Sequence, residues 1–198
     1  EPLACVLNGQ ELAGVGEGDD VLIIGSGPIG CLHARLARSR GAGRVLLADL
    51  NPARLEQAAA LVEPDAAIRS GEVDLVDEVR KLTDGEGAGV VIVAAASGAA
   101  QELSPQLVAR QGRISFFGGL PKDDPLVTLD ANAIHYRELT IVGANGSSPA
   151  HNARALAAIA SGSVPVADLI THRLPLERVL DAIAIVGRGE AIKATIAP

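Results

Sequence analysis

The sequence predicts an α/β fold, built as a single domain around a doubly wound parallel sheet. Three short runs of branched apolar residues, at 21–24, 45–48 and 90–93, show the pattern of strands that are covered on both faces. The segments between them place apolar residues three and four positions apart, as in residues 29–36, which indicates crossover helices. Strands that alternate with helices in this way are typical of a parallel sheet with right-handed crossovers.

The rest of the chain continues the alternation. A helix is predicted from Pro52, a favourable first-turn residue, to Ala60, with Asn51 as its cap. Further strands are predicted at residues 66–68, 112–117 and 139–142, and further helices at residues 75–82, 98–110, 130–136 and 150–161. The tail is predicted as strand or loop at residues 169–174, helix at 176–186 and a final strand at 191–196.

Composition limits the class of protein. A chain of 198 residues that is 48% hydrophobic can bury one substantial core. The net charge of -7 is spread along the chain, which argues against nucleic acid or an acidic membrane surface as the main partner. There is no apolar run of roughly 18 residues and no basic start followed by an apolar stretch, so we expect a soluble, cytoplasmic protein.

The residues that could hold a metal are few. Cys5 and Cys31 fit neither a disulfide framework nor a CxxC pattern, so we expect buried free thiols. The histidines do not stand in a metal-ligand spacing with one another or with a cysteine, and we expect them to be ordinary surface or half-buried residues. They are His33, His135, His151 and His172.

A glycine motif at residues 25–30, GSGPIG, directly follows the first predicted strand and opens the first crossover helix. This context gives the motif its weight, because GxGxxG alone is common by chance. Gly25 would permit the tight turn, Gly27 would let a pyrophosphate approach the backbone, and Gly30 would let the helix pack closely on the strand. A helix N-terminus offers free N–H groups and positive dipole charge to such an anion.

Asp49 ends the next strand, about 20 residues beyond the loop, where a carboxylate can accept hydrogen bonds from an adenosine ribose. We therefore predict a Rossmann-type domain that binds NAD, since a 2'-phosphate would meet the Asp49 charge at close range. Arg54 could in principle counter that charge and admit NADP. The alternative is that the glycines only form a tight turn and Asp49 is a solvated strand end; the register of strand, loop, helix, strand and acid favours the cofactor site.

These motifs resemble the medium-chain dehydrogenases, and within them the zinc-type polyol (sorbitol) and threonine dehydrogenase branch. The resemblance covers the whole chain. Its residues are Glu1-Pro2-Leu3-Ala4, the glycine loop, Asp49 to Arg54, Phe117-Gly118-Gly119 and Gly189 to Lys193.

The resemblance implies roles for several residues. Ile29, beside Pro28 in the loop, would line the adenosine side of the cofactor, and Arg54 would lie against the adenine ribose. Ala95 and the run Phe117, Gly118 and Gly119 would form the nicotinamide side, and Lys193 would contact the pyrophosphate. Glu1 matches a position near the catalytic zinc, although a charged chain terminus is an equally good interpretation.

The activity implied is hydride transfer between a secondary alcohol or polyol and NAD, with zinc polarising the alcohol oxygen. The resemblance places most metal and substrate ligands in an N-terminal domain that precedes this sequence, so we expect no catalytic residue here and no activity from this chain alone. Residues 1–16 and about 169–198 would pack toward that domain. The chain opens on Glu1 and contains no methionine, which also predicts sequence upstream.

Two alternatives remain open from the sequence: a zinc-independent relative of the quinone-reductase kind, and a module that senses NAD or NADH without chemistry. Polyol dehydrogenases often carry an arginine and an aromatic residue after the strand matched here by residues 139–142. This chain has Asn145-Gly146-Ser147-Ser148 instead, which leaves the identity of the alcohol open. The same strand pairs across a two-fold axis in the family, so we expect a homo-oligomer.

Overall fold

A computed structural model describes residues 1–197. The helices are α1 (Pro2–Leu12), α2 (Pro28–Ser39), α3 (Pro52–Val62), α4 (Leu75–Leu82), α5 (Gly98–Leu107), α6 (Ala131–Tyr136), α7 (Pro149–Ala160) and α8 (Val179–Gly187). The strands are β1 (Asp20–Ile24), β2 (Arg44–Asp49), β3 (Ala66–Arg69), β4 (Ala88–Val93), β5 (Val108–Phe116), β6 (Thr140–Gly143), β7 (Ile170–Pro175) and β8 (Lys193–Ala197).

Six strands form one parallel sheet in the order β3-β2-β1-β4-β5-β6. The chain reverses its winding direction between β1 and β4, so the carboxyl ends of these two strands border the crevice where open α/β sheets bind ligands. Ile24, the last residue of β1, pairs with Ala48 on one side and Val93 on the other. The predicted single α/β domain with a doubly wound parallel sheet is confirmed.

The core lies on both faces of this sheet, as the continuous apolar runs require. Side chains alternate along β1, so that Val21 and Ile23 join one hydrophobic cluster while Leu22 and Ile24 join the other. The first cluster also contains Leu169 and residues of α1, α2, α3 and α7. The second packs β1, β2, β4 and β5 against α4 and the end of α5.

Helix α1 is an element for which the sequence analysis assigned no secondary structure. Leu3, Val6, Leu7 and Gln10 follow helical spacing and are buried where α1 packs on α2 and α7. This face of residues 1–16 is therefore used inside the domain. Whether other parts of residues 1–16 and 169–197 contact a further domain stays a prediction, and Pro198 lies outside the described residues.

Several element boundaries differ from the prediction by a few residues. The helix expected over residues 98–110 ends at Leu107, two residues after Pro105, and Val108 already has extended backbone as the first residue of β5. Proline inside a helix removes a backbone hydrogen bond and weakens the turn that contains it. In the tail, the segment predicted as strand or loop is the strand β7, which pairs in parallel with β8 in a separate two-stranded sheet.

None of the helices in residues 1–197 combines the length and the apolar character that a membrane crossing demands.

Candidate functional site

The glycine loop lies between the end of β1 and the start of α2, at the crevice described above. Gly25 has a φ of 106°, a conformation that side chains disfavour, and its N–H donates to the carbonyl oxygen of Ala48 at 2.8 Å. A Cβ on Gly25 would also stand 3.2 Å from the backbone nitrogen of Ala95, so the loop is pressed against the end of β4. Gly25 therefore forms the tight turn predicted for it.

Gly30 lies in the first turn of α2, directly over the loop. A Cβ at this position would stand 1.9 Å from the carbonyl oxygen of Gly25 and 3.6 Å from the Ile23 side chain. The close approach is thus mainly between the helix and the loop backbone, with the strand as the second neighbour. Glycine is required at position 30 by space.

Gly27 is the N-cap of α2, and a Cβ built on it would have no atom within 4 Å. No side chain caps this helix, whereas Asn51, Asp74 and Ser97 cap α3, α4 and α5 with their oxygens. The N–H groups in the first turn of a helix have no partner within it, so α2 presents free donors to open space. This geometry fits an anionic group such as a pyrophosphate.

Asp49 stands beside the loop at the end of β2, with its side chain only 3% exposed. Its Oδ2 accepts hydrogen bonds from the backbone N–H of Ser26 at 2.7 Å and from the Ser26 hydroxyl at 2.8 Å. Its Oδ1 accepts from the backbone N–H of Asn51 at 2.8 Å. Burial raises the pKa of Asp49, but the hydrogen bonds from Arg54, Asn51 and Ser26 outweigh it and hold the pKa below its ordinary value.

Arg54 covers the remaining side of the Asp49 carboxylate. Its Nη2 donates to Oδ1 at 2.8 Å and its Nε donates to Oδ2 at 3.1 Å. The Arg54 side chain is 36% exposed, so it is the accessible member of this pair. In the structure Arg54 therefore occupies both carboxylate oxygens that the sequence analysis reserved for ribose hydroxyls.

A cavity of about 230 Å³ opens at this pair, between the ends of β1, β2 and β4 and the helices α4 and α5. It brings together four residues predicted for cofactor binding: Gly25, Asp49, Arg54 and Ala95. The sequence analysis missed its other walls, which include Leu50, Ser70, Ser97 and Leu103. Leu50 is 75% exposed, and the sequence signal that could have marked it is its position directly after Asp49.

A second cavity, of about 220 Å³, lies on the first turn of α2. It unites Glu1, Pro28, Ile29 and Lys193, which are far apart in sequence, with apolar residues such as Leu169. Ile29, which the resemblance assigns to the adenosine side, lines this second cavity instead. The first turn of α2 therefore contributes to a cavity that also holds one acidic and one basic residue.

The turn after β5 carries the remaining predicted residues. The N–H of Gly118 donates to the carbonyl oxygen of Val93 at 2.8 Å, and a Cβ on Gly118 would stand 2.3 Å from the carbonyl oxygen of Ala95. Gln101, which the sequence analysis did not select, fixes this turn by donating from Nε2 to the Gly118 carbonyl at 2.9 Å. A Cβ on Gly119 would face open space.

Phe117 turns its ring away from that open space. The ring meets the His33 ring edge-on, with centroids 4.5 Å apart, and lies within 3 Å of where a Cβ on Gly9 would be. Its backbone follows β5 toward the crevice, while its side chain packs against the core.

The prediction that His33 is a surface or half-buried residue is wrong. The His33 side chain is fully buried between α1 and the sheet, and Gln10 Nε2 lies 3.4 Å from its Nδ1 and 2.8 Å from its carbonyl oxygen. Burial lowers the pKa of His33 to about 3, with a further contribution from the Arg40 charge. His33 follows Ile29 by four residues and precedes Leu36 by three, so helical spacing places it on the inner face of α2, and the expectation of an exposed or half-buried position was based on its polar side chain alone.

Glu1 lies at the start of α1 and accepts a hydrogen bond from the Cys5 thiol at 2.9 Å. Burial raises the pKa of Cys5, and the Glu1 carboxylate raises it further. Within residues 1–197 no group of three or more histidine, cysteine, aspartate or glutamate side chains is arranged to hold a metal ion. The described residues alone do not fit zinc, and the role of Glu1 near a metal stays a prediction.

The sheet order and the glycine loop together define a class, the Rossmann-type nucleotide-binding domain. The sequence also matches the model of a family described as zinc-binding dehydrogenase over residues 28–161. The chain belongs to this family.

The curated relatives that match this chain are also dehydrogenases. The chain is 32% identical to a sorbitol dehydrogenase of Halalkalibacterium halodurans, covering 100% of this chain and 57% of that protein. It is 36% identical to a D-altritol 5-dehydrogenase of Agrobacterium fabrum, covering 91% of this chain and 52% of that protein. The chain thus spans about half the length of these relatives.

Among solved structures, a protein described as a zinc-binding dehydrogenase from Sinorhizobium meliloti 1021, bound to NADP, superposes with a TM-score of 0.91 at 29% identity. The match covers 100% of this chain and 58% of that one. The predicted membership of the zinc-type dehydrogenases is confirmed, and the comparisons do not favour the two alternatives left open by the sequence.

Proposed function

We propose that this chain is the NAD-binding part of a zinc-dependent oxidoreductase that transfers hydride between a secondary alcohol or polyol and NAD. The observation that carries the proposal is the uncapped start of α2 at Gly27, open to solvent and next to a buried acid, Asp49. An N-terminus without a capping side chain favours an external anion, and the neighbouring acid favours an attached ribose.

The adenosine would occupy the first cavity. Its walls combine apolar side chains such as Leu50 and Leu103 with the Asp49–Arg54 pair, which suits a flat base joined to a polar sugar. Arg54 would move off the carboxylate or share it when the ribose binds, because both oxygens are already bonded.

The pyrophosphate would lie over Gly27 and the first turn of α2. Lys193 supports this placement, since it lines the second cavity together with Pro28 and would bring positive charge to the same turn. Pro28 supplies no N–H, so the donors would come from the neighbouring backbone.

The nicotinamide would extend toward Ala95 and the turn at Phe117 to Gly119. Gly119 supports this placement because the space around its Cα is open, and Gln101 holds the preceding carbonyl in place. Ligands of open α/β sheets bind at strand carboxyl ends, where this turn lies.

NAD is proposed over NADP. Even with Arg54 displaced, Asp49 remains a charged group held by Ser26 and Asn51, and a 2'-phosphate would be brought close to it. The Sinorhizobium meliloti structure contains NADP, so this preference needs a direct test in this chain.

Zinc, when bound in the whole enzyme, would polarise the alcohol oxygen and favour its deprotonation. The residues of this chain would bind and orient the cofactor so that the hydride can pass to the nicotinamide. Glu1 is proposed to lie near the metal, with the metal ligands in a part of the whole protein that this chain does not contain.

Assembly and location follow from the same proposal. Strand β6 is the outer strand of the six-stranded sheet and offers its free edge to a second copy, which would give a homo-oligomer. The exposed apolar side chains of α8, which include Leu180 and Ile183, support packing of residues 169–197 against a further domain. Cys5 and Cys31 are free thiols, as a cytoplasmic protein would have.

The experiment is a fluorescence titration of the purified protein with NADH, followed by competition with AMP. The variant Ala99→Trp places a large side chain at an exposed residue that lines the first cavity, and Ala153→Trp does the same at an exposed residue of α7. We expect AMP to displace NADH from the unmodified protein, and Ala99→Trp but not Ala153→Trp to weaken NADH binding by tenfold or more. Absence of NADH binding in the folded protein would refute the proposal.

A further inference from the structure

Ser26 occupies a variable position of the glycine motif, and neither the motif nor the family gave it a role in the sequence analysis. It is fully buried, and both its backbone N–H and its hydroxyl donate to Asp49 Oδ2. The loop that would bind the pyrophosphate is thereby tied directly to the acid that would bind the ribose.

The partners of Asp49 differ in how freely they can leave. Ser26 N–H and Asn51 N–H are fixed by the backbone on either side of the carboxylate, and the Ser26 hydroxyl is buried with them. Arg54 is the partner with an exposed side chain, and it donates to both oxygens. An incoming ribose hydroxyl can therefore replace Arg54 more easily than it can replace Ser26.

The Asp49 carboxylate has one unused acceptor position once Arg54 has been displaced. A carboxylate offers about four acceptor positions, two on each oxygen. With Arg54 displaced, Oδ2 still carries two donors from Ser26, and Oδ1 carries one donor from Asn51. The open position is on Oδ1.

We propose that the Ser26 hydroxyl is a positioning residue for the adenosine ribose: it holds Asp49 Oδ2 so that Oδ1 accepts a ribose hydroxyl in the place of Arg54. This inference rests on the proposed function, since it requires a ribose in the first cavity. It predicts that Ser26 contributes to discrimination between cofactors. NADH presents a free 2'-hydroxyl to Asp49, whereas NADPH has a phosphate there and gains nothing from a well-oriented acceptor.

The test is calorimetric titration of NADH and NADPH into the Ser26→Ala protein and the unmodified protein. We expect NADH binding to weaken about fivefold to tenfold, the effect of losing one ordinary hydrogen bond, because Ser26 acts on the ribose only through Asp49, while NADPH binding changes less than twofold. The control is Ser104→Ala, which removes a buried hydroxyl that donates to the Gln101 carbonyl oxygen within α5 and does not line the first cavity. It should leave the NADH to NADPH affinity ratio unchanged.

A double mutant separates positioning from a general effect on the loop. In an Asp49→Ala background, adding Ser26→Ala should change NADH affinity less than twofold, because the acid through which Ser26 acts is gone. Should Ser26→Ala fail to fold, Ser26→Cys, which keeps the shape of the side chain with a larger atom and a weaker donor, takes its place. Equal weakening of NADH and NADPH would overturn the inference, as would an undiminished effect in the Asp49→Ala background. Failure of the unmodified protein to bind NADH would instead refute the proposed function.

Discussion

Gly30 lies so close to Gly25 that a Cβ on Gly30 would come within 1.9 Å of the Gly25 carbonyl oxygen. The contact joins the first turn of α2 to the loop after β1, and both partners are backbone, so neither can swing aside. Gly27, between them, has open space where its Cβ would be. Within one motif, Gly30 is therefore required by the packing of the fold, whereas Gly27 leaves space that a ligand would need.

Gly30→Ala should destabilise the protein by about 2–3 kcal/mol, because the added methyl group forces the helix and the loop apart. The measurement is urea unfolding followed by circular dichroism. Gly187→Ala is the control. Gly187 is the last residue of α8 and has no atom within 4 Å of where its Cβ would be, so the substitution should leave the midpoint unchanged or raise it slightly. An unchanged midpoint for Gly30→Ala would contradict the packing described here.

Gly27→Ala should have little effect on stability and a large effect on NADH binding. Its backbone, with φ of -68°, accepts alanine without strain, so the free energy of unfolding should stay within about 1 kcal/mol of the original. NADH affinity should fall by tenfold or more, because the methyl group enters the space proposed for the pyrophosphate. Retained NADH affinity in a folded Gly27→Ala protein would place the cofactor elsewhere.

The sheet was predictable because strands covered on both faces are largely apolar, and β1, β2 and β4 each contain a short uninterrupted apolar run. Helix α1 was harder to recognise. Its first residue is Pro2, which favours a helix start, but Glu1 makes no capping hydrogen bond, and the polar residues Asn8 and Gln10 interrupt the apolar pattern. Gln10 is nevertheless buried, and His33 supplies partners for its amide nitrogen.

The candidate site was predictable where it is local in sequence and not where it is assembled by folding. The loop and Asp49 follow from a motif with fixed spacing. The hydrogen bonds that Ser26 and Arg54 donate to the Asp49 carboxylate depend on the directions of their side chains, which cannot be predicted from sequence spacing alone. The second cavity is lined by both Glu1 and Lys193, which come from opposite ends of the chain, so its formation depends on the packing of the tail.

The buried His33 should make stability depend on pH. Its pKa in the folded protein is about 3 and its ordinary value is 6.5, so the unfolded chain takes up a proton between these values and the folded protein does not. The free energy of unfolding should therefore fall as the pH drops below 6.5, by about 1.4 kcal/mol per pH unit from this residue.

Urea unfolding at several pH values between 5 and 7 measures this slope. His33→Gln should reduce it, whereas His135→Gln, at an exposed histidine, should not. Equal slopes in the unmodified and His33→Gln proteins would show that His33 does not stay neutral when folded.

Glu11 at the end of α1 should stabilise the packing of three helices. Its carboxylate pairs with Arg40 of the α2 end and with His151 and Arg154 of α7. Burial raises the pKa of Glu11. The hydrogen bonds from Arg154 and His151 and the charges of Arg154 and Arg40 lower it by more than burial raises it, so the folded protein favours the ionised form. The side chain is 34% exposed, so solvent screening limits the contribution.

Glu11→Gln should lower the free energy of unfolding by about 1 kcal/mol at pH 7, with a smaller difference in high salt. Lys81→Gln, which removes an ion pair on the exposed surface of α4, should have no measurable effect. A Glu11→Gln protein as stable as the original at low salt would show that the network contributes nothing.

The most direct test of the central claim is a pair of calorimetric titrations of the purified protein, one with NADH and one with NADPH. The Asp49 carboxylate, held in its ionised form beside the glycine loop, predicts that NADH binds at least about tenfold more tightly. Tighter binding of NADPH than of NADH would contradict the account.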